Sequence, residues 1–387
     1  MRSRIVTIHH HYKLGRAGFE SSQQTRMKLA NLNGLEYLHL ITSPQDSDYL
    51  SRFKAVGFHY GSILSLDRFL MQTDAIFIDD YRVEYYSDVG LKIGEAFYDF
   101  DRKYSNVESW IYLKDDEVLT EEDLVVKYLS KNVQDFDILF RDDSRIPMPK
   151  LKRFVDFRKI NYYEIIHHSV LTDGYLSTLS KKINYLVANE RLTQELFDLG
   201  FKAEFLPPMC VDEDSLKPRK ISSIKRYVWS GHLGDYKNFG QALRIMKKLE
   251  KSGITLDVYG GTLADFERFY DQYNRPSNVK YHGLVTEVPY RFYEGYLSTS
   301  THELFANACI EAMSNGLKCI TSDLKYPYQD YSIGTNDALS MAHTDDQFVE
   351  LLERFKSLEF DSTDQIEFIK RYSYQRWAPL FKELISN

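Results

Sequence analysis

Residues 297–323 read LSTSTHELFANACIEAMSNGLKCITSD, and no other stretch constrains the fold so tightly. The run 296–301 reads as the end of a strand. A turn with His302, Glu303 and Phe305 follows, then a helix over about 307–315. Asn307 is the expected N-cap, and Gly316 stands at the C′ position, where glycine's freedom at positive φ closes a helix. The run 318–322 is a second strand, ending on Asp323. Strand, helix and strand in this order form a unit of a parallel sheet.

Two carboxylates stand in this unit, Glu303 before the helix and Glu311 about one turn into it. In open α/β sheets, ligands bind beyond the carboxyl ends of the strands, and both acids fit one such crevice. Between them the backbone N–H groups of Phe305, Ala306 and Asn307 begin the helix, and helix N-termini favour anions. Acid, amides and acid in that order suit a ligand made of sugar, diphosphate and ribose.

The stretch resembles the E-x7-E signature of retaining GT-B glycosyltransferases, the large family typified by sucrose and sucrose-phosphate synthases. Ser298, Glu303, Phe305, Asn307, Glu311, Ala312, Met313, Gly316, Ser322 and Asp323 match it. Ala306 and Lys318 stand where the family usually has glycine and proline. The resemblance implies an α/β chain of two Rossmann-like doubly wound domains facing a cleft. Strands alternating with helices over most of the chain argue for the same architecture. The expected division is an acceptor-side domain at 1–206, a nucleotide-sugar-binding domain at 207–372, and a C-terminal helix at 373–387 that crosses back to the first.

The first domain opens with a strand at 5–8, the run His9-His10-His11, a loop holding Gly15 and Gly18, and a helix over 22–31. This begins a nucleotide-binding-type fold, although the glycines do not space as G-x-G-x-x-G. The resemblance places this loop, with Gly18, opposite the donor phosphates. Adjacent histidines on a strand point to opposite faces, so no metal site is read there. Short, aromatic, alternating runs over about 76–120 predict a small β-meander inserted in this domain. It is similar to the meander of bacterial enzymes that glucosylate teichoic acids or serine-rich adhesins, and would present an acceptor surface or an oligomer edge. Over 145–159 six basic residues face one acid, Asp156. Such a cluster suits a solvated face, an anionic acceptor or lipid head groups. A strand at 162–166 ends on His167-His168. In the family a histidine just past this strand touches the donor sugar; His168 is the candidate and His167 its neighbour, with strand register deciding.

Pro207-Pro208 stiffens the interdomain turn. A strand at 226–230 then leads into GHLGDYKNF and a helix at 240–252. The turn resembles G-R-L-x-x-x-K-N, whose arginine and lysine hold the donor diphosphate in the family. Lys237 matches the lysine, and His232 occupies the arginine's place. Arginine is always charged and forks onto phosphate, whereas histidine is charged only at lower pH. A strand at 255–259 ends on Gly260-Gly261, which lets backbone approach a ligand. The family's turn corresponding to 283–285, with Val285, offers backbone groups to the nucleobase. Two helices are expected to finish the chain.

A net charge of −7 argues against nucleic-acid binding. Three scattered cysteines fit a reducing compartment. D-x-D occurs at 99–101 and 135–137 without a long apolar strand before it, so no metal ligand is expected and divalent metal is dispensable. The first apolar run is too short for a signal-peptide core, and none has membrane length. The expectation is a cytoplasmic protein, with peripheral contact at the inner membrane face left open.

Together these features predict transfer of a hexose from a nucleotide diphosphate sugar, UDP-linked by preference, with retention of configuration. The acceptor would be a bacterial cell-surface polyol-phosphate polymer, glycoprotein or saccharide. No cofactor beyond the donor substrate is implied; a second copy or a partner subunit is left open. Catalytic roles fall to Glu303, His168 and Lys237. Donor-binding roles fall to His232, Phe305, Ala306, Asn307, Glu311, Gly18, Val285 and Gly260. Two rival readings are a catalytically weak GT-B subunit partnering an active transferase, and a UDP-GlcNAc isomerase of the same fold.

Overall fold

The structure is a computed structural model; it describes residues 4–9, 17–41, 63–65, 74–79, 82–86, 92–99, 106–112, 117–119, 121–134, 137–142, 148–167, 175–285, 287–327 and 339–386. The chain begins with β1 (Arg4–His9), α1 (Ala17–Leu32), β2 (Glu36–Ile41) and β3 (Ile63–Ser65). Five strands follow: β4 (Asp74–Asp79), β5 (Arg82–Tyr86), β6 (Lys92–Asp99), β7 (Asn106–Tyr112) and β8 (Glu117–Leu119). Then come α2 (Glu121–Asn132), β9 (Ile138–Asp142), α3 (Pro149–Arg158), β10 (Asn161–Ile166), β11 (Asn184–Val187), α4 (Glu190–Asp198) and β12 (Lys202–Phe205).

The rest comprises β13 (Lys220–Ile221), β14 (Arg226–Ser230), α5 (Phe239–Lys248), β15 (Thr255–Tyr259), α6 (Leu263–Gln272), β16 (Val279–Gly283), β17 (Gly295–Ser298), α7 (Asn307–Ser314), β18 (Lys318–Ser322), β19 (Leu339–Ala342), α8 (Asp345–Phe355), β20 (Phe360–Asp361), α9 (Thr363–Ile369) and α10 (Tyr374–Ser386).

Two parallel sheets carry the architecture. The first has the order β12-β11-β10-β9-β1-β2-β3, the second β16-β15-β14-β17-β18-β19. Parallel strands are covered by helices on both faces, so they become nearly continuous apolar runs. Ile5, Val6 and Ile8 of β1 are buried together with Thr7, as are Tyr227, Val228 and Trp229 of β14. A separate antiparallel sheet, β4-β5-β6-β7-β8, forms the meander.

Each parallel sheet reverses its strand order once, between β1 and β9 in the first and between β14 and β17 in the second. At such a point the crossover helices leave to opposite sides and open a crevice at the carboxyl ends of the strands. The turn after β14 and the turn after β17 flank the crevice of the second sheet.

Two segments cross between the sheets side by side. Val211 N–H donates to Tyr372 O at 2.9 Å, and Tyr374 N–H donates to Val211 O at 2.9 Å. Beyond this crossing α10 packs on the first sheet. Phe381, Leu384 and Ile385 join Leu29, Phe140, Tyr163 and Leu186 in one core. Tyr163 OH donates to Leu384 O at 2.9 Å, and Asn161 Nδ2 to Ile385 O at 3.1 Å.

Several local expectations change. Helix α1 starts at Ala17 rather than Ser22, so Gly18 lies in a helical first turn, not in a loop. Glycine is a poor helix former, but buried polar contacts from Ser22, Gln23 and Arg26 anchor this helix on the sheet. The segment 290–294 contains one 3-10 turn, Tyr290–Phe292. Among the described residues the tail holds two strands, β19 and β20, and three helices rather than two. Strand β19 escapes the sequence reading because four residues give too short an alternation to register. Among the described residues, no helix is long and apolar enough to cross a membrane.

Candidate functional site

Glu303 and Lys237 are 66 positions apart, and the crevice of the second sheet brings them together as an ion pair. Lys237 ends a 3-10 turn, Asp235–Lys237, and Asn238 follows in the left-handed region at φ 49°. The loop after β17 docks on this turn. Thr299, fully buried, donates its hydroxyl toward the carbonyls of Lys237 and Asn238 at 3.1 and 3.0 Å and accepts from Trp229 Nε1 at 3.4 Å. Thr301 N–H donates to Tyr236 O at 2.8 Å. Ser300 Oγ donates to Glu303 Oε1 at 2.8 Å. The pair is partly accessible, at 19% for Lys237 and 16% for Glu303, so an anion or a hydroxyl-rich ligand can reach both groups.

Glu311 sits on α7 and is tied to the end of β14 through Tyr290. Tyr290 OH donates to its Oε2 at 2.9 Å, and Ser230 Oγ lies 2.9 Å from Tyr290 OH. Burial raises the Glu311 carboxyl above the usual carboxylate range; the Tyr290 hydrogen bond opposes this, and the charge of Glu287 adds to it. A carboxyl raised on folding binds its proton more tightly in the native state, so its favourable contribution is full at low pH and is lost as pH rises through the raised value. Ionised Glu311 therefore costs stability at neutral pH. Glu311→Gln is expected to raise the melting temperature by about 2–4 °C at pH 7.5. That gain shrinks toward zero as the pH is lowered through the carboxyl's titration, which a thermal-melt series in pH checks.

The start of α7 differs from expectation. Its cap residue is Ala306, at φ 55° with no side-chain cap bond, and Asn307 is already the first helical residue. The chain needs a left-handed residue to turn from the buried Phe305 into the helix, and for a non-glycine residue that conformation costs about 1–2 kcal/mol. Phe305 is anchored edge-on against Tyr372, 5.1 Å between ring centroids, and lies 6.4 Å from Phe205 of the first sheet. At the other end Gly316 has φ 72°, as its position predicts.

The remaining candidates fall in varied places. The His232 ring lies 6.2 Å from the Tyr236 ring, on the same turn as Lys237. Val285 is exposed in the turn after β16. Gly260 is required by the protein itself: a Cβ there would stand 2.1 Å from Gly231 O, and its φ is 108°. His168 lies outside the described residues, as does Gly15. His167 is committed to the first sheet, its Nε2 2.9 Å from Asp142 Oδ1. Asp142 Oδ2 accepts from Arg26 Nη2 at 2.5 Å. Among the described residues no group of three or more His, Cys, Asp and Glu side chains is placed to hold a metal ion.

Sequence reasoning missed Thr299, Tyr290 and Ser230. It also missed Asn189, which caps α4 by accepting from Leu192 N–H at 2.8 Å and donates to Leu304 O at 3.0 Å. This bond ties the first sheet to the residue next to Glu303. Arg371 and Glu190 add a two-pronged ion pair across the same boundary at 3.0 and 2.9 Å. An Asn before a helix is a capping signal; its second bond to Leu304 has no local signature.

Comparison with known proteins agrees with this geometry. Residues 212–374 match the family described as "Glycosyl transferases group 1". The UDP-N-acetylglucosamine–peptide N-acetylglucosaminyltransferase GtfA subunit of Limosilactobacillus reuteri subsp. suis is 23% identical over 199 residues. That alignment covers 50% of this chain and 36% of the relative, so the match spans about a third of the relative's length. Among solved structures, the pneumococcal O-GlcNAc transferase GtfA in complex with UDP and GlcNAc superposes with a TM-score of 0.75 at 14% identity, covering 100% of this chain and 99% of that one. TarM gives 0.76 at 14% identity with the same coverage. Anabaena Alr3699/HepE in complex with UDP-glucose gives 0.67 at 9% identity, covering 99% of each chain. At these identities the likeness is one of fold.

Proposed function

For a chain that carries a Glycosyl transferases group 1 domain on a GT-B fold, we propose retaining transfer of a hexose from a UDP-linked donor to a bacterial cell-surface acceptor. The observation that carries this reading is the Lys237–Glu303 ion pair beside the strand-order reversal between β14 and β17, with Glu311 on α7 linked through Tyr290 to Ser230 at the end of β14. Lys237 neutralises the diphosphate, with the amides of Phe305, Ala306 and Asn307 and the His232 ring beside it. A diphosphate competes for Lys237 and releases Glu303 to accept hydrogen bonds from sugar hydroxyls. Glu311 accepts from the ribose diol. The sugar contact is assigned to His168, the base contact to Val285 and the side opposite the phosphates to Gly18.

The chemistry asked of these groups is electrostatic. The bond between the sugar C1 and the phosphate oxygen breaks, and its electron pair leaves with the diphosphate. The acceptor oxygen bonds to C1 on the same face, and its proton passes to the departing phosphate. Fixed cations and dipoles aimed at the developing charge lower this barrier without reorganising. No step needs a divalent metal. The acceptor class is a polyol-phosphate polymer, a glycan or a serine-rich protein, and the meander offers it a surface. The site works at the cytoplasmic side.

A second reading draws on His232: a weaker phosphate clamp suits a subunit that binds acceptor and relies on an active partner. The L. reuteri relative is itself named as a subunit.

The test is UDP release from UDP-glucose and UDP-GlcNAc by the purified full chain, with EDTA present, alone and with glycerol-phosphate polymer or Ser-rich peptide. The expected result is acceptor-dependent UDP release and an α-linked product by NMR. Nucleotide-sugar binding without turnover favours the subunit reading, and no UDP binding by calorimetry overturns both.

A further inference from the structure

We infer that Tyr290, supported by Ser230, is the positioning residue of a ribose subsite and makes the site selective for ribonucleotide over deoxyribonucleotide donors. The inference rests on the donor assignment above and adds two residues to it.

Three elements converge on this point. Ser230 is the last residue of β14, at the reversal of strand order. Tyr290 lies in the 3-10 turn between β16 and β17, and Glu311 on α7. Ser230 and Tyr290 are both buried, and the Tyr290 ring packs against Tyr296 at 6.4 Å between centroids. The direction of the hydrogen bonds follows from chemistry. A carboxylate only accepts, so Tyr290 OH gives its proton to Glu311 Oε2. The tyrosine oxygen is then left as acceptor, and Ser230 Oγ donates to it. The chain runs one way, from Ser230 through Tyr290 to Glu311.

This relay has two consequences. It fixes the rotation of the Glu311 carboxylate about its last bond. It also uses up Oε2, while Oε1 takes no hydrogen bond from any described residue. An ordered acceptor with one open oxygen, on a half-buried side chain in a crevice, suits a neutral hydroxyl pair better than a cation. The same bond opposes the rise that burial and the neighbouring charge of Glu287 impose on the carboxyl. Without Tyr290 the group is free to rotate, titrates higher and accepts more weakly.

Calorimetry of UDP and 2′-deoxy-UDP at pH 7.5 with the full chain tests this. A hydrogen bond to a charged group sets the scale, so the wild type is expected to prefer UDP by about 10–100-fold. In Tyr290→Phe that ratio falls by about tenfold, while 2′-deoxy-UDP affinity and the melting temperature stay close to wild type. The last two readouts separate positioning from a general loss of structure, which weakens both ligands alike. Ser230→Ala is measured in parallel, with a smaller fall in the ratio expected, and serves alone if Tyr290→Phe does not fold. UDP binding with the wild-type ratio kept in the folded variants overturns this inference and leaves the donor assignment standing. No UDP binding by the wild type overturns both.

Discussion

Lys237→Ala is expected to lower kcat for donor turnover by about 10²–10³-fold, and Glu303→Ala by a similar factor. The two losses have different physical causes. Lys237 supplies a cation where negative charge grows on the departing diphosphate, so its removal costs more in the transition state than in the bound donor. It also leaves Glu303 without its counter-charge, facing an anionic ligand. Glu303→Ala keeps the cation and removes the acceptor for sugar hydroxyls. Both side chains line the crevice and remain partly accessible, so neither change opens a core cavity. Steady-state UDP release, with thermal melts beside it, checks this. Rates within threefold of wild type in both variants would sink the assignment.

The second large effect concerns stability. Arg26→Ala is expected to destabilise the fold by about 3–5 kcal/mol. Arg26 and Asp142 form a pair at 1% and 0% exposure. Burial works against the arginine's charge, and Asp142 and Tyr37 together outweigh it. Around this pair Arg26 Nη1 donates to Ser22 Oγ at 2.6 Å and Nε to Tyr37 OH at 3.3 Å. Truncating the arginine removes its charge from beside a carboxylate in the interior; His167, Gln23 and Thr7 are among the other partners of Asp142. Removing both charges, as in Arg26→Met with Asp142→Leu, is expected to recover most of the loss, because the uncompensated charge is the larger part of it. Urea unfolding of the single and double variants measures the difference. A double variant no more stable than Arg26→Ala would show that geometry rather than charge dominates.

The parallel sheets were legible because burial on both faces leaves each strand a compact apolar run, as in RYVWS at β14 and KCITS at β18. The acids at 303 and 311 were legible because strand, turn and helix are contiguous there. What failed was of another kind. Helix α1 begins five residues earlier than expected, and Arg26 ties it to Asp142, 116 positions away. Ala306 takes the cap position because Phe305 is anchored on Tyr372. The glycine at 260 is also demanded by the close approach of Gly231, which no local signal announces. His167 points to Asp142, a partner that strand alternation alone does not name.

By itself the sequence determined the alternation of strands and helices, the position of the turn after β17 and the chemical character of the groups it carries. Those properties are local: side-chain periodicity, glycine's backbone freedom and the spacing of two acids act over a dozen residues. Only the tertiary structure decided that Lys237 meets Glu303, that Tyr290 and Ser230 stand behind Glu311, and that Asn189 reaches Leu304. Each of those pairings joins elements far apart in the chain. Their directions are set by how the crossover helices pack, which no short window of residues encodes.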